Sequence, residues 1–377
     1  MVELSAALRR RGLRTIVDVS DPEATAGQSQ LDELRRIIQN DCDGFILYLT
    51  KNVTDSACVW NVEVPAALHS WDTGSVAFHP FFRNVSPSGA KLMVPHGARV
   101  AAIGGVDASE AGDDSSLLQA AHSQMANDAL GAALLRWAAD EEPLTIGIRT
   151  RESGTHPPTD LLLDWIQDFD SLALGDGIAG RSLRDALADT ARVLGKVGTR
   201  FVRVSGPAHL SAGIAVGYTF RGPTGYRLEV TQGVSVWGAE GPKASADMRI
   251  VTQQIDPSQP DVLLIVGLSR PELIRDADTA AAALRLPVGG RVTVEPAAGA
   301  SRDAVRSDEH ARGIINDLTT QLMNSRARWG TRGTLHIFIA SPLGFAVLLG
   351  HALNGFAPLA LYEPSALGGY VRTIELT

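Results

Sequence analysis

Cysteine is nearly absent from this chain: 377 residues carry two, Cys42 and Cys58. Two thiols are too few for a disulfide scaffold, and no C-x-x-C or H-E-x-x-H spacing occurs. No metal site is therefore expected, and a reducing cytoplasm is the expected setting. No apolar run approaches the ~18 residues of a membrane span. The N-terminus lacks the apolar core of a signal peptide. An excess of positive charge is also missing. Lys and Arg number 34 against 42 Asp and Glu, a net charge of −8. That disfavours a partner as large as a nucleic-acid duplex but allows a small anion in one local basic pocket. What is present is 45% hydrophobic side chains in a chain long enough for two or three domains.

The most informative stretch is DGFILYLTKNVTDSACVWNVEVPAAL, residues 43–68. Phe45 to Leu49 reads as a buried parallel strand. Thr50-Lys51-Asn52 breaks it, and Asp55 or Ser56 then caps a helix carrying Trp60, Glu63 and Leu68. Glu63 is a lone carboxylate on an otherwise apolar helix, just beyond the carboxyl end of a strand. Open α/β sheets place their chemistry there. The same pattern also suits an ordinary exposed Glu. Upstream, VELSAALRRRG predicts a helix with Leu4, Ala7 and Leu8 on one face, LRTIVD (13–18) a strand, and QSQLDELRRIIQN a helix with Leu31, Leu34, Ile37 and Ile38 in one stripe. Downstream, VAFHPFF (76–82) and RVAAIGG (99–105) read as strands. SSLLQAAHSQMANDALGAALLRWA reads as a long helix capped by Asp114 or Ser115, with Met125, Ala129 and Trp137 toward the core.

This order of elements resembles a TIR domain over residues 1–137. The resemblance rests on Asp18, Gly27, the FILYLT strand and the S-x-x-x-W-x-x-E run that ends at Glu63. It implies a flavodoxin-like parallel sheet. In enzymatic members the matching glutamate cleaves NAD, so Glu63 is the implied catalytic residue, with Trp60 and Asp18 as NAD-binding candidates. Trp60 suits a core position equally well. TIR domains usually open on a strand before the first helix. This chain begins at the helix, so that strand is expected to be absent or upstream.

AADEEP (138–143) reads as a linker, and LTIGIR (144–149) starts a new region. The region holds a weak internal repeat. FVRVSGPAHLSAGIAVGYTF (201–220) with RLEVTQ (227–232) parallels LHIFIASPLGFAVLLGHALN (335–354) with LALYE (359–363). Each unit is a buried strand, a small residue and a proline, a small-residue helix and a second buried strand. The prolines are expected at position N1 of their helices. LTIGIR and DVLLIVGLS (261–269) open the two halves, about 144–258 and 259–377. Two α/β units so arranged bring two helix N-termini toward one crevice. The pattern resembles the SAVED domain, a fusion of two CARF-like Rossmannoid halves. Such domains bind cyclic di- or trinucleotides, and the resemblance implies the same partner here.

The implied whole is a TIR–SAVED effector of bacterial cyclic-oligonucleotide anti-phage signalling (CBASS). Its ligand would drive self-association into an oligomer or filament and activate hydrolysis of NAD to nicotinamide and ADP-ribose. NAD is then a substrate and the cyclic oligonucleotide an activator, with no cofactor. A non-catalytic TIR scaffold and a cyclase or base-exchange enzyme are the alternatives. Nicotinamide leaves from a cationic nitrogen, so no general acid is needed, and one carboxylate suffices to stabilise an oxocarbenium-like state. A phosphate-bearing ligand needs helix N-termini, Arg or Lys, and stacking surfaces. Candidates at the carboxyl ends of the strands are Arg149, Arg151, Ser205, Gly206, Ser269, Arg270, Ser341 and Pro342, with Trp237 to stack on a base. Each alone also has a structural reading. GDGIAG (175–180) matches G-x-G-x-x-G but lacks the acidic strand end of a dinucleotide site and reads as a loop before a helix. His79, His96, His336 and His351 read as structural.

Overall fold

The computed structural model describes every residue except 1, 17–27, 138–141, 153–157, 174–176, 246, 357 and 366. The chain divides into two compact units, Met1–Asp140 and Glu141–Thr377. Most of the expected linker falls outside the described residues.

Unit 1 runs α1 (Val2–Arg10), α2 (Gln28–Arg36), a π-turn at Ile37–Asp41, β1 (Gly44–Leu49), a second π-turn at Val59–Glu63, α3 (Val64–Asp72), β2 (Ala77–Phe82), α4 (Pro87–Met93), α5 (Gly97–Ile103), β3 (Val106–Asp107) and α6 (Ser115–Trp137). Its sheet has the order β1-β2-β3 with both pairings parallel. α1 buries Leu4, Ala7 and Leu8, as its spacing requires. Asp114 accepts the Ser116 and Leu117 amides at 2.9 and 3.2 Å and caps α6.

Two expected strands are not seen among the described residues. Leu13–Ile16 is irregular, with Ile16 largely exposed. The rest of that segment, with Asp18 and Gly27, lies outside the described residues. Arg99–Gly105 is mostly helix: Val100 and Ile103, one turn apart, both face the core over β1 and β2. A spacing of three suits a helix, and the strand shrinks to Val106–Asp107.

Unit 2 continues with β4 (Leu144–Arg149), β5 (Leu161–Asp164), α7 (Ile166–Ala173), α8 (Gly177–Val197), β6 (Phe201–Ser205), α9 (Leu210–Thr219), β7 (Arg227–Gln232) and β8 (Ser235–Gly238). Then follow β9 (Met248–Gln254), β10 (Asp261–Gly267), α10 (Leu273–Ala283), β11 (Val288–Pro296), α11 (Asp308–Trp329), β12 (Leu335–Ala340), α12 (Leu343–Ala352), β13 (Leu359–Pro364) and β14 (Tyr370–Leu376). There are two sheets, β5-β4-β6-β7-β8 and β14-β13-β12-β10-β11-β9. Both are parallel at the centre; the first has one antiparallel edge strand, β8, and the second has two, β14 and β9. β10 is buried at every residue, as a central parallel strand covered on both faces must be. β9, expected in the first half, pairs with β11 instead. That pairing places β9 at the edge of the second sheet.

The repeat is real in three dimensions. β6-α9-β7 and β12-α12-β13 are equivalent, and α9 packs on α12 through glycine. A Cβ on Gly217 would lie 1.9 Å from the Val347 carbonyl oxygen, and one on Gly350 would lie 2.2 Å from that of Ile214. Only glycine allows backbones to cross so closely. The His351 Nδ1–H donates to the Phe220 carbonyl at 2.8 Å and ties the far ends of the two helices. His336 bridges Asp261 and Tyr362, 2.9 Å from each, inside the second sheet. Of the G-x-G-x-x-G run, Gly180 serves packing: its Cβ would meet the Thr373 carbonyl oxygen at 2.1 Å, where α8 crosses β14.

Candidate functional site

In unit 1, β1 ends at Leu49, and the chain turns through Val53–Asp55 into the helix that carries Glu63. Ser56 Oγ accepts the Val59 amide at 3.4 Å, the cap expected of it. Glu63 closes the π-turn and is half-buried. The wider turn brings residue i against i+5: the Cys58 thiol, fully buried, donates to Glu63 Oε1 at 3.8 Å. Such turns inside helices recur at functional sites. Trp60 does not fit the base-stacking role. It is 3% exposed, belongs to the core, and donates its indole N–H to the Val53 carbonyl at 2.8 Å.

In unit 2 the candidate residues divide between two strand edges. On the first sheet, Arg149 pairs with Asp164 at 3.6 Å across β4 and β5. Arg151 is exposed beyond it. Ser205 is buried at the end of β6, beside β4, and Gly206 follows with φ 117°. Two residues overlooked in the sequence complete this edge. Thr150 Oγ1 accepts the His209 amide at 2.7 Å and lies 2.8 Å from His209 Nδ1. The imidazole stacks on Phe169 with centroids 4.7 Å apart. Burial, helped by the Arg151 charge, pushes the His209 pKa down to about 4, so the ring is neutral.

On the second sheet, the Ser269 amide donates to the Ala340 carbonyl at 3.0 Å, which sets Ser269 beside the end of β12. Arg270 pairs with Asp276 and donates to the Tyr370 hydroxyl at 3.3 Å. Ser341 Oγ donates to the Pro342 carbonyl at 3.0 Å. The prolines lie outside the helices rather than at N1. Pro342 is the N-cap of α12, and Pro207 precedes the His209 N-cap of α9 by two residues. Extended backbone at these positions turns the chain from strand to helix, which a fixed proline φ permits. Trp237 is 6% exposed, and its ring would lie 2.8 Å from a Cβ on Gly344. It fills the space over the start of α12 and is not available to stack on a base.

Both helix N-termini are closed from the opposite half. The Ser211 amide, second in α9, donates to Glu363 Oε1 of β13 at 2.7 Å. The Gly344 amide, second in α12, donates to Gln232 Oε1 of β7 at 2.8 Å. Neither acceptor was singled out from sequence. The signal was the repeat itself, which places both at the ends of equivalent strands.

Among the described residues no group of three or more His, Cys, Asp or Glu could hold a metal. No helix among them is long and apolar enough to cross a membrane.

Two Rossmann-like halves, joined through a glycine-lined helix pair with polar strand ends beside the helix starts, define unit 2 as a two-lobed α/β module. A family model described as "SMODS-associated and fused to various effectors sensor domain", SAVED, matches residues 183–376. The chain belongs to this family. CD-NTase-associated protein 4 of Acinetobacter sp. (strain ATCC 27244 / 9458) is 25% identical over 179 residues, 47% of this chain. The match spans only 37% of that relative's length. The Acinetobacter baumannii Cap4 SAVED/CARF-domain containing receptor, solved with the cyclic trinucleotide 3'3'3'-cAAA, has a TM-score of 0.53 at 16% identity, covering 96% of this chain and 99% of that one. The same receptor with 2'3'3'-cAAA gives 0.52 at 16% identity, covering 99% and 96%. At this identity the likeness is one of fold.

Proposed function

We propose that this protein is a cyclic-oligonucleotide receptor of CBASS anti-phage defence. Membership of the SAVED family over residues 183–376 carries this reading. The cyclic trinucleotides named with the Cap4 receptor support the ligand class. Arg151 and Arg270, near the ends of central strands of the two sheets, supply cationic groups for phosphate.

Unit 1 is proposed to be the effector, a TIR domain that hydrolyses NAD with Glu63. The half-buried carboxylate that closes a π-turn in the helix following β1 supports this. Glu63 would stabilise the oxocarbenium-like ribose as nicotinamide departs with the bonding electrons, and water would complete ADP-ribose. Ligand binding would favour an assembled state, because a ligand shifts an equilibrium only through differential affinity. A heterologous contact that does not close would build a filament.

The burial of Trp60 favours a second reading, a TIR scaffold without catalysis, since it removes the aromatic platform beside Glu63. Incubation of the full chain with NAD and a panel of cyclic di- and trinucleotides separates the readings. Ligand-dependent release of nicotinamide and ADP-ribose is expected. Cyclic ADP-ribose or exchanged base would change the reaction. Ligand binding with intact NAD would leave the scaffold, and no binding to any member would overturn the receptor reading.

A further inference from the structure

We propose that β9 is a self-pairing edge, through which a second copy of this chain extends the six-stranded sheet across a two-fold axis at Val251. A sheet edge presents a row of unpaired backbone groups, and folded proteins blunt it with short strands, charge, proline, bulges or cover. The other three edges of unit 2 carry such devices. β5 and β8 are four residues each. β14 has a register break against β13, the charges of Arg372 and Glu375, and α8 crossing it at the Thr373 carbonyl. β9 has none of these. It runs seven residues in unbroken register with β11 and contains no proline. Its one charge, Arg249, is paired to Glu295.

The ladder fixes which backbone groups are free. The Ala297 amide donates to the Asp247 carbonyl, and the Ile255 amide donates to the Gly289 carbonyl. Antiparallel bonding alternates along a strand. Arg249, Val251 and Gln253 therefore bond inward to β11, while Met248, Ile250, Thr252 and Gln254 turn N–H and C=O outward. Among the described residues no backbone group meets those four on the outer side.

One register satisfies all four with a second copy. With Val251 on the axis, Met248 lies opposite Gln254 of the second copy and Ile250 opposite Thr252, and symmetry repeats both pairs. Each such pair exchanges two hydrogen bonds, so no outward group is left idle. Val251 then meets its own counterpart in a non-hydrogen-bonded pair, where Cα atoms approach to about 4.5 Å and side chains are closest. It is 43% exposed in the single chain, so the contact removes apolar surface from water. Arg249 lies opposite Gln253, so no like charges oppose each other. A second copy brings this match by symmetry alone. The contact is isologous and closes at two copies, unlike the ligand-driven head-to-tail contact of the filament, and it needs no nucleotide.

Sedimentation velocity of the full chain without nucleotide, from ~1 to ~100 µM, would measure it. A reversible monomer–dimer equilibrium is expected. Val251→Lys sets two ammonium groups face to face on the axis and should weaken dimerisation about tenfold or more. Val251→Thr, also β-branched and uncharged, should keep it. Thr252→Pro removes an outward N–H but leaves the ladder to β11 whole, and should also weaken dimerisation about tenfold. Val251→Cys brings two thiols within disulfide range, so mild oxidation should give a covalent dimer that dithiothreitol reverses. Gln253→Cys, whose counterpart lies off the axis, and the unsubstituted chain should give little. Should T252P fail to fold, V251K and V251C carry the test. A monomer across the whole range would overturn the proposal. So would a dimer that V251K leaves intact, or covalent dimers formed equally by V251C and Q253C. The receptor and NAD readings enter none of these measurements and stand or fall separately.

Discussion

Gly217→Ala tests whether the glycine contact between α9 and α12 holds the two halves of unit 2 together. The added Cβ would lie 1.9 Å from the Val347 carbonyl oxygen and 2.9 Å from the His351 backbone nitrogen. Both are backbone atoms, so relief requires moving a helix rather than a side chain. Overpacking of this kind costs ~1–3 kcal/mol and sometimes more. Alanine in place of glycine returns up to ~1 kcal/mol of helix propensity. The contact is far inside van der Waals range, so the clash wins and a net loss of ~2 kcal/mol is expected. Gly195→Ala in α8 is the control, because its nearest neighbour is the flexible Arg200 guanidinium at 2.9 Å. There the propensity gain should survive, with stability unchanged or higher by up to ~1 kcal/mol. Hydrogen exchange of the α9 and α12 peptides, with urea unfolding of the full chain, measures both. G217A should raise exchange in both helices, since each holds the other. Equal stability of G217A and G195A would refute the claim that the crossing needs glycine.

Glu63→Gln should abolish ligand-dependent NAD loss, a drop of ~10²-fold or more, without changing ligand affinity; retention of cleavage in a coupled nicotinamide assay would move the site elsewhere. Trp60→Ala should destabilise unit 1 by ~3–5 kcal/mol, because the indole is core rather than substrate platform, and urea melts of unit 1 peptides by exchange would show it. Arg285 sits at φ 53° just past α10 with its side chain exposed, so Arg285→Gly should raise stability by ~0.5–1 kcal/mol, read as a higher urea midpoint with an unchanged slope. His209 has its pKa lowered in the fold from 6.5 to about 4, so the unfolded chain binds the extra proton between those values. Its stabilising contribution is whole above pH 6.5 and is lost as pH falls toward 4, and His209→Gln should remove that part of the acid limb in melts taken across this range.

Periodicity and composition were sufficient where one chemical pattern had one solution. The runs Phe45–Leu49 and Val262–Gly267 are apolar throughout, so a parallel strand was legible in each, although β1 is only partly buried while β10 is buried at every residue. The repeat was legible because a strand, a proline turn and a glycine-bearing helix recur in the same order. Residues 99–105 misled, because Arg, Val, Ala and Ile suit either element until Val100 and Ile103 find a common core face.

The sequence by itself determined that this is an α/β chain with one carboxylate in an otherwise apolar helix, Glu63, and a duplicated strand–helix–strand unit in its second half. Only the tertiary structure decided which polar residues meet. Trp60 and Trp237 look alike free to stack on a base, yet both fill core space, since burial depends on what packs above them. Glu363 and Ser211 are 152 positions apart, and Gln232 and Gly344 are 112 apart. No local pattern joins such pairs. They meet because two glycine-faced helices cross at backbone contact and carry each helix start to the strand end of the other half.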